Sequence, residues 1–311
     1  MARVLILRAG ALGDILLLRR AVFALRRGGH ALTLLAPQGP ASALRGPGPC
    51  EVDDVIPWEK AEVAELASDA PRLDGSLAVR LRGFDAALGY TRSHSMIASL
   101  GRLIPQVIPW DPEPPSGLGH ASRWLAQATT PLAAGTGPIP PVHAPSAQEA
   151  GSAAPWLARL PAGFLALHPG SGSPRKNWPA EAFAAAAQAL TAGRPWLLVE
   201  GPADQAAAAA LRSPNSVSAQ ALPPRVLGAI LAQAGLFLGN DSGVSHLAAA
   251  WGAPTLALFG PTDPAVWGPV GPRVATLRSP TRSMADLSVE EVLAWAGKAA
   301  GPLSIQSMEG S

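Results

Sequence analysis

Residues 239–264 read GNDSGVSHLAAAWGAPTLALFGPTDP, and this stretch carries the clearest structural signal in the chain. The apolar residues just before it predict a strand, and Asp241 or Ser242 can cap the helix that follows. Gly252 predicts the end of that helix, before a second apolar run at residues 255–259. We therefore expect two parallel strands joined by one helix, because a crossover helix returns the chain to the same end of a sheet.

The start of this helix is a candidate anion-binding site. Free backbone N–H groups near Ser242 and Gly243 are expected to face the crevice beyond the strand ends, where they favour a negatively charged ligand. His246 lies one turn further along and within reach of that ligand. The alternative is structural, with Asp241 acting only as a cap and His246 as a core histidine.

A second polar loop, HPGSGSPRKNWP at residues 168–179, also follows an apolar run and precedes a predicted helix. The small residues Ser171, Gly172 and Ser173 let backbone amides and hydroxyls approach phosphate oxygens closely. Lys176, one of only three lysines in the chain, adds a mobile positive charge. The loop therefore suggests phosphate binding without a Walker motif, which the chain lacks. A solvated loop charge is the alternative interpretation of Lys176.

The amino terminus predicts another strand, turn and helix. The apolar residues 4–7 lead into the turn RAGALGD at residues 8–14, and a helix is expected over residues 15–27. The turn has no G-x-G-x-x-G pattern, so it gives little support to dinucleotide binding. Asp14 is either an N-terminal cap or a general base facing a cleft, and this segment alone favours the cap.

Taken together, these segments resemble glycosyltransferase family nine, the ADP-heptose:lipopolysaccharide heptosyltransferases and their relatives. The Leu12-Gly13-Asp14 turn, the loop at 168–179 and the run at 240–264 occur in the order that the family shows. The resemblance implies an α/β fold of the GT-B class, in which two Rossmann-like domains with parallel sheets face each other across a cleft.

The resemblance and the composition divide the chain into four expected segments. Residues 1–115 are expected to form the N-terminal acceptor-binding domain and residues 161–285 the domain that binds a nucleotide-sugar donor. Residues 116–160 are rich in proline and alanine and predict a linker with little regular structure beyond one short helix at 120–127. Residues 286–311 are expected to form a helix and tail, with the helix packing back on the N-terminal domain.

The resemblance also implies roles for individual residues. Asp14 falls where the family places its catalytic base, which removes a proton from the acceptor hydroxyl. The implied donor-binding residues are Ser171, Gly172, Ser173, Lys176, Glu200, Asp241, Ser242, Gly243 and His246. Glu200 falls where the nucleoside contact is made, but a simple turn explains it equally well. Arg92 and His94 are candidate acceptor contacts, although a plain turn is favoured there.

The implied reaction is an inverting transfer of a sugar, with heptose inherited from the family, from an ADP-sugar to a lipopolysaccharide-type or lipid-linked glycan acceptor. Such a transfer needs one base and one cationic pocket for the leaving diphosphate, whereas a glycosidase needs two carboxylates flanking one bond. No cofactor is expected, because the nucleotide sugar is a substrate. The alternative is a non-catalytic GT-B-like protein that binds a nucleotide sugar or a glycan, although such a binder has no need of Asp14.

Composition narrows the remaining possibilities. Six histidines are scattered without ligand spacing and Cys50 is the only cysteine, so no metal site and no disulfide framework are predicted. The net charge is +2 with acids and bases mixed, which gives no nucleic-acid footprint. The first strand begins almost at Met1 and no apolar run is long enough to span a bilayer. These features predict a cytoplasmic protein.

The basic residues of the first predicted helix are the sequence feature that suggests peripheral contact with the cytoplasmic face of a membrane. Arg19, Arg20, Arg26 and Arg27 form either a solvated helix face, which we favour, or a surface for anionic lipid or a phosphorylated acceptor.

Overall fold

A computed structural model describes residues 1–68, 70–133, 140–201 and 204–300. These residues form two compact units, Met1–Pro141 and a second unit that begins at Val142. The tail expected after residue 300 lies outside the described residues.

The first unit contains a parallel sheet with helices between its strands. Its strands are β1 (Arg3–Arg8), β2 (Ala31–Ala36), β3 (Asp54–Pro57), β4 (Ala86–Tyr90) and β5 (Gln106–Trp110). Its helices are α1 (Leu12–Leu17), α2 (Arg19–Arg27), α3 (Gln38–Ala41), α4 (Ala61–Glu65), α5 (Ser76–Leu81), α6 (His94–Gly101) and α7 (Ala121–Gln127), with a 3₁₀ turn at Ser42–Leu44. The strand order is β3-β2-β1-β4-β5.

The second unit repeats this plan. Its strands are β6 (Leu165–His168), β7 (Trp196–Glu200), β8 (Ser216–Gln220), β9 (Leu236–Asn240), β10 (Thr255–Phe259) and β11 (Val274–Arg278). Its helices are α8 (Ala147–Leu157), α9 (Ala180–Thr191), α10 (Gln205–Ala209), α11 (Pro224–Leu231), α12 (Gly243–Ala250), α13 (Pro264–Trp267) and α14 (Val289–Ala300), with 3₁₀ turns at Pro174–Lys176 and Met284–Asp286. The strand order is β11-β10-β9-β6-β7-β8, and every pair is parallel.

Both sheets have the order of a Rossmann-like fold. In each unit the chain adds strands on one side of the first strand and then crosses to its other side. Connections on the two sides of this switch point diverge and leave a crevice at the carboxyl ends of the strands, where open α/β sheets bind ligands. The switch point lies between β1 and β4 in the first unit and between β6 and β9 in the second. The predicted GT-B class, with two Rossmann-like units, is confirmed.

The local predictions for the opening stretch are confirmed by β9, α12 and β10. The helix ends at Ala250 with Trp251 as its C-cap, and Gly252 follows with φ +81°, a left-handed conformation that glycine adopts without a steric penalty. β10 is completely buried, as expected for a parallel strand covered on both faces.

The first helix differs from its prediction. It begins earlier, at Leu12, and is divided at Leu18 into α1 and α2. The arginines at the start of α2 are buried, so the predicted basic face is wrong for Arg19 and Arg20. Arg19 donates from Nη2 to the carbonyl oxygen of Pro141 at 2.5 Å, and burial lowers its pKa to about 10. Arg26 and Arg27 remain on the outer face, where Arg26 forms an ion pair with Asp53.

Two segments, the linker and the C-terminal helix, show structure that the sequence did not specify. The linker contains, besides the expected α7, the helix α8, which a capping box between Ser146 and Glu149 begins and which packs on α11. The C-terminal helix α14 buries Val292 and Ala296 in the core of the second unit, among residues of the sheet and α9, and its expected packing on the first unit stays a prediction. The spacing of its apolar residues predicts a helix but does not specify which sheet that helix covers.

Candidate functional site

Asp14 lies in the first turn of α1, directly beyond the end of β1. Its Oδ1 is 2.6 Å from Arg8 Nη2, and its Oδ2 accepts a hydrogen bond from the Ala11 N–H at 2.9 Å. The Asp14 side chain is 33% exposed, whereas that of Arg8 is 8% exposed. A carboxylate has about four acceptor positions, so these two contacts leave room for a substrate hydroxyl. Asp14 therefore reaches back to the helix start while remaining accessible.

The surroundings hold this carboxylate close to the strand end. A Cβ atom on Gly10 would lie 2.6 Å from the Cβ of Asp14, so only glycine allows this approach. Arg8 is the last residue of β1 and pairs in register with Tyr90 of β4, at the switch point. Sequence reasoning assigned no role to Arg8. The available signal was a charged residue ending an otherwise apolar strand.

The candidate acceptor segment after β4 is organised as a turn and a helix cap. Arg92 forms ion pairs with Asp111 at 2.9 Å and with Glu113 at 3.0 Å, and hydrogen bonding to Asp111 raises the pKa of Arg92. Ser93 caps α6 by accepting from the Met96 N–H. The roles of Arg92 and of His94, the first residue of α6, in binding an acceptor stay predictions.

At the switch point of the second unit, the loop after β6 meets the loop after β9. Lys176 Nζ lies 2.8 Å from Asp241 Oδ2, although 65 positions separate the two residues. Thr262, in the loop after β10, donates to the same oxygen at 2.5 Å. The Asp241 side chain is 8% exposed and that of Lys176 is 29% exposed. Neither contact uses Asp241 Oδ1, so the described part of the chain leaves that oxygen for a ligand.

The first turn of α12 lies beside this ion pair. Ser242 is the N-cap and accepts from the Ser245 N–H at 3.4 Å. The N–H groups of Gly243 and Val244 have no partner among the described residues. Two free donors at the positive end of a helix, next to a lysine, form the arrangement that anions favour. His246 lies one turn further along and is buried, and its predicted donor contact stays a prediction.

The loop at 168–179 is fixed by amide side chains. Asn240 accepts from the Trp178 N–H at 3.0 Å and donates from Nδ2 to the carbonyl of Pro169 at 2.7 Å, which ties this loop to β9. Ser171 Oγ lies 2.6 Å from Asn177 Oδ1 and 2.7 Å from the carbonyl oxygen of Ser173.

Two glycines of this loop differ in what surrounds them. A Cβ atom on Gly172 would meet nothing within 4 Å, whereas one on Gly170 would overlap Asp204. Gly172 therefore lies on the open side of the loop and Gly170 on its packed side.

Glu200 ends β7 as predicted, but its carboxylate already has partners in its own unit. Arg212 Nη2 lies 2.5 Å from Oε2, and Ser218 and Gln220 of β8 donate to Oε1. The hydrogen bond from Arg212 is the main reason that the pKa of Glu200 lies below its usual range. The predicted nucleoside contact stays a prediction, and it would have to share this carboxylate with three donors.

A buried network of polar side chains was missed. His168, at the end of β6, lies between Ser242 Oγ at 3.1 Å from Nδ1 and Asp204 Oδ2 at 2.9 Å from Nε2. Sequence reasoning quoted His168 as the start of a motif but gave it no role and did not consider Asp204. A histidine that ends an apolar strand was the available signal, but its two partners come from distant loops.

Among the described residues, no three His, Cys, Asp or Glu side chains come together as a metal site would require. The candidate donor site contains the ion pair of Lys176 and Asp241 and the start of α12. None of the helices in the described ranges is long and apolar enough to cross a membrane.

The fold and this site define an α/β protein of the GT-B class with a candidate anion-binding crevice in its second unit. The profile of glycosyltransferase family 9 (heptosyltransferase) matches residues 125–295, which is more than half of the chain. The chain belongs to glycosyltransferase family 9.

Curated relatives match over a short stretch. Lipopolysaccharide heptosyltransferase 1 of Escherichia coli strain K12 is 36% identical over 64 residues, which cover 21% of this chain and 20% of the relative. The corresponding protein of Salmonella typhimurium strain LT2 is 38% identical over 63 residues, with 20% of each chain covered. The matched part therefore spans about a fifth of the length of these relatives.

Solved structures match over nearly the whole chain at low identity. The glycosyl transferase family 9 protein of Veillonella parvula DSM 2008 superposes with a TM-score of 0.79 at 17% identity, covering 96% of this chain and 97% of that one. The E. coli ADP-heptose lps heptosyltransferase II gives 0.76 at 21% identity, covering 98% and 99%. The E. coli heptosyltransferase WaaC with ADP gives 0.69 at 19% identity, covering 96% and 99%. At these identities the likeness shows the fold.

Proposed function

We propose that this protein is a glycosyltransferase that moves a sugar from an ADP-activated donor to a glycan acceptor of the lipopolysaccharide type. Family membership favours heptose as the sugar, and one structural relative is described as an ADP-heptose lps heptosyltransferase. The observation that carries the proposal is the pair of Lys176 and Asp241 beside the free N–H groups of α12.

In this proposal the donor diphosphate lies against Lys176 and the N–H groups of Gly243 and Val244. These groups are positioned before the reaction, so they stabilise the charge that develops on the leaving diphosphate without reorganising. Asp241 accepts hydrogen bonds from sugar hydroxyls through Oδ1, while its Oδ2 keeps Lys176 and Thr262 in place. Ser171, Gly172 and Ser173 approach the same phosphates from the loop after β6.

Asp14 acts as the general base. It takes the proton of the acceptor hydroxyl as that oxygen attacks the anomeric carbon of the donor sugar. The bond between the anomeric carbon and the diphosphate breaks as the new glycosidic bond forms, and ADP leaves with the electron pair. Attack opposite to the leaving group inverts the anomeric centre. A cytoplasmic location, with the membrane face reached through a lipid-linked acceptor, belongs to the same proposal.

Calorimetric titration with ADP, UDP and GDP, first in EDTA and then with magnesium, tests the donor site. We expect selective binding of ADP in both conditions. Binding of none of the three nucleotides would overturn the donor assignment.

Release of ADP from ADP-heptose, with and without a lipopolysaccharide-core acceptor, tests the reaction. Acceptor-dependent release supports transfer, and release in water alone indicates a hydrolase instead. Binding without release in either condition would favour the non-catalytic alternative.

A further inference from the structure

A network of buried hydrogen bonds surrounds His168. The Ser245 hydroxyl donates to the carbonyl oxygen of Asn240 at 2.5 Å, and the Ser245 N–H donates to Ser242 Oγ. Ser242 Oγ is thus an acceptor from the first turn of α12, and it also lies 3.1 Å from His168 Nδ1 and 3.4 Å from Ser245 Oγ. We expect the Ser242 hydrogen to be directed to the nearer partner, His168 Nδ1, which puts the ring hydrogen on Nε2.

Asp204 supports this tautomer. Its Oδ2 lies 2.9 Å from His168 Nε2 and also accepts from the Gly201 N–H at 2.9 Å. Burial alone would raise the pKa of Asp204, but its hydrogen bond with His168, together with the one from the Gly201 N–H, holds that pKa below its usual range. A charged carboxylate can only accept, so it requires a hydrogen on Nε2.

The packing makes this arrangement rigid. His168 is 3% exposed and Asp204 is 8% exposed. A Cβ atom on Gly170 would lie 1.8 Å from Asp204 Oδ1, so the loop encloses the carboxylate tightly. His168 and Asp204 are buried, and their network ends at Ser242, the residue that caps α12.

We propose that His168 and Asp204 are positioning residues for the donor, because they lock the Ser242 hydroxyl and thereby keep the first N–H groups of α12 directed at the diphosphate. Serine, histidine and aspartate also form hydrolytic triads, but here Ser242 Oγ caps a helix and is buried. The inference rests on the proposed function.

A double-mutant cycle tests it, with ADP affinity measured by calorimetry and the thermal midpoint measured in parallel. Asp204→Asn, His168→Ala and Ser242→Ala are each expected to weaken ADP binding roughly 3- to 10-fold, the usual effect of losing one hydrogen bond. Asp204→Asn is expected to have no further effect in the Ser242→Ala background, since it acts through Ser242. His168→Asn is expected to restore part of the affinity, because its amide oxygen can replace Nδ1 as the acceptor.

The matched control is His143→Asn. His143 is another buried histidine of the same unit, which packs against Trp251 and is not part of the network of His168, Asp204 and Ser242. This substitution is expected to lower the thermal midpoint without changing ADP affinity. Nitrogen-15 NMR of the histidine rings, without nucleotide, is expected to show the hydrogen of His168 on Nε2.

Three outcomes would overturn the positioning role of His168 and Asp204 while leaving the proposed function intact. These are additive losses across the cycle, a fall in the thermal midpoint of His168→Ala with unchanged ADP affinity, and a hydrogen on Nδ1. Failure of the unsubstituted protein to bind ADP would overturn both proposals together.

Discussion

At the scale of single residues, the two candidate active groups are held by different kinds of partner. Asp14 is oriented by Arg8 and by the Ala11 N–H, whereas Lys176 is held by a buried aspartate. Orientation by fixed partners keeps a reacting group close to its productive geometry before substrate binds. The contacts of Asp14 and Lys176 therefore set what their substitutions should do.

Asp14→Asn is expected to lower kcat by ~10²-fold or more, the usual range for a lost general base. Donor affinity should stay near that of the unsubstituted protein, because the amide keeps the shape and its oxygen can still accept from Arg8. Acceptor-dependent turnover and ADP titration measure the two effects separately. Asp85→Asn, at the opposite end of the same sheet, is the control and should change neither. An equal loss of binding and rate would contradict the assignment.

Lys176→Ala is expected to weaken ADP binding by roughly 1–3 kcal/mol, as for a lost charge-assisted contact. The neighbouring Arg175 is exposed and its side chain forms no hydrogen bond or ion pair with the described residues, so Arg175→Ala should change ADP affinity far less. Calorimetry measures the ADP affinity of both variants, each of which removes one positive charge from the same loop. If both weaken binding equally, the effect is one of net charge and Lys176 has no specific role.

At the scale of elements, the turn after β6 requires one glycine and merely tolerates another. A Cβ atom at Gly170 overlaps Asp204, whereas one at Gly172 meets open space. Gly170→Ala is expected to lower the free energy of unfolding by roughly 1–3 kcal/mol, since overpacking forces the carboxylate to move. Gly172→Ala should stay within about 0.5 kcal/mol, as for an exposed substitution. Denaturant unfolding measures both, and equal effects would contradict the packing argument.

The ends of β7 and β8 are joined by the carboxylate of Glu200. Its pKa is lowered in the folded state, chiefly by Arg212, so the stabilisation it gives is present above its ordinary pKa of 4.5 and is lost as pH falls through the folded pKa. Glu200→Gln should therefore destabilise the protein near neutral pH, and the difference should shrink below pH 4.5. Unfolding curves across this range measure it. Arg212→Gln should weaken the same pH dependence, and a difference that grows in acid would contradict the sign.

At the scale of the whole molecule, each unit has its own sheet and its own buried core, built around Leu5 and Leu7 in the first and Leu167 and Leu238 in the second. Because the candidate donor residues all belong to the second unit, nucleotide should stabilise that unit directly. At ADP concentrations 100 times its Kd, the free energy of unfolding of this unit should rise by about 2.7 kcal/mol. Scanning calorimetry with and without ADP measures the shift, and Lys176→Ala should reduce it. A transition that ADP leaves unchanged would contradict a donor site in this unit.

The sequence predicted the strands and helices that flank the candidate site residues. The apolar run at 255–259 became β10 without a change of bounds, because its signal is contained within a few neighbouring residues. The helix α8 was missed, since its capping box lay in a segment rich in alanine and proline whose composition suggested a linker. The sheet against which α14 packs could not be predicted, because an apolar stripe gives a helix a buried face but does not specify what covers that face.

By itself, the sequence determined the strand and helix segments around the candidate site, the loops that end those strands, and the presence of Asp14 and Lys176 in those loops, whereas the two Rossmann-like units were implied by the family resemblance. These features follow from hydrophobic period, caps and glycines, which act over a few positions. Only the tertiary structure decided that Lys176 pairs with Asp241, that His168 joins Asp204 to Ser242, and that Arg19 is buried. Such contacts join loops that the strand order brings together, so no local pattern specifies them.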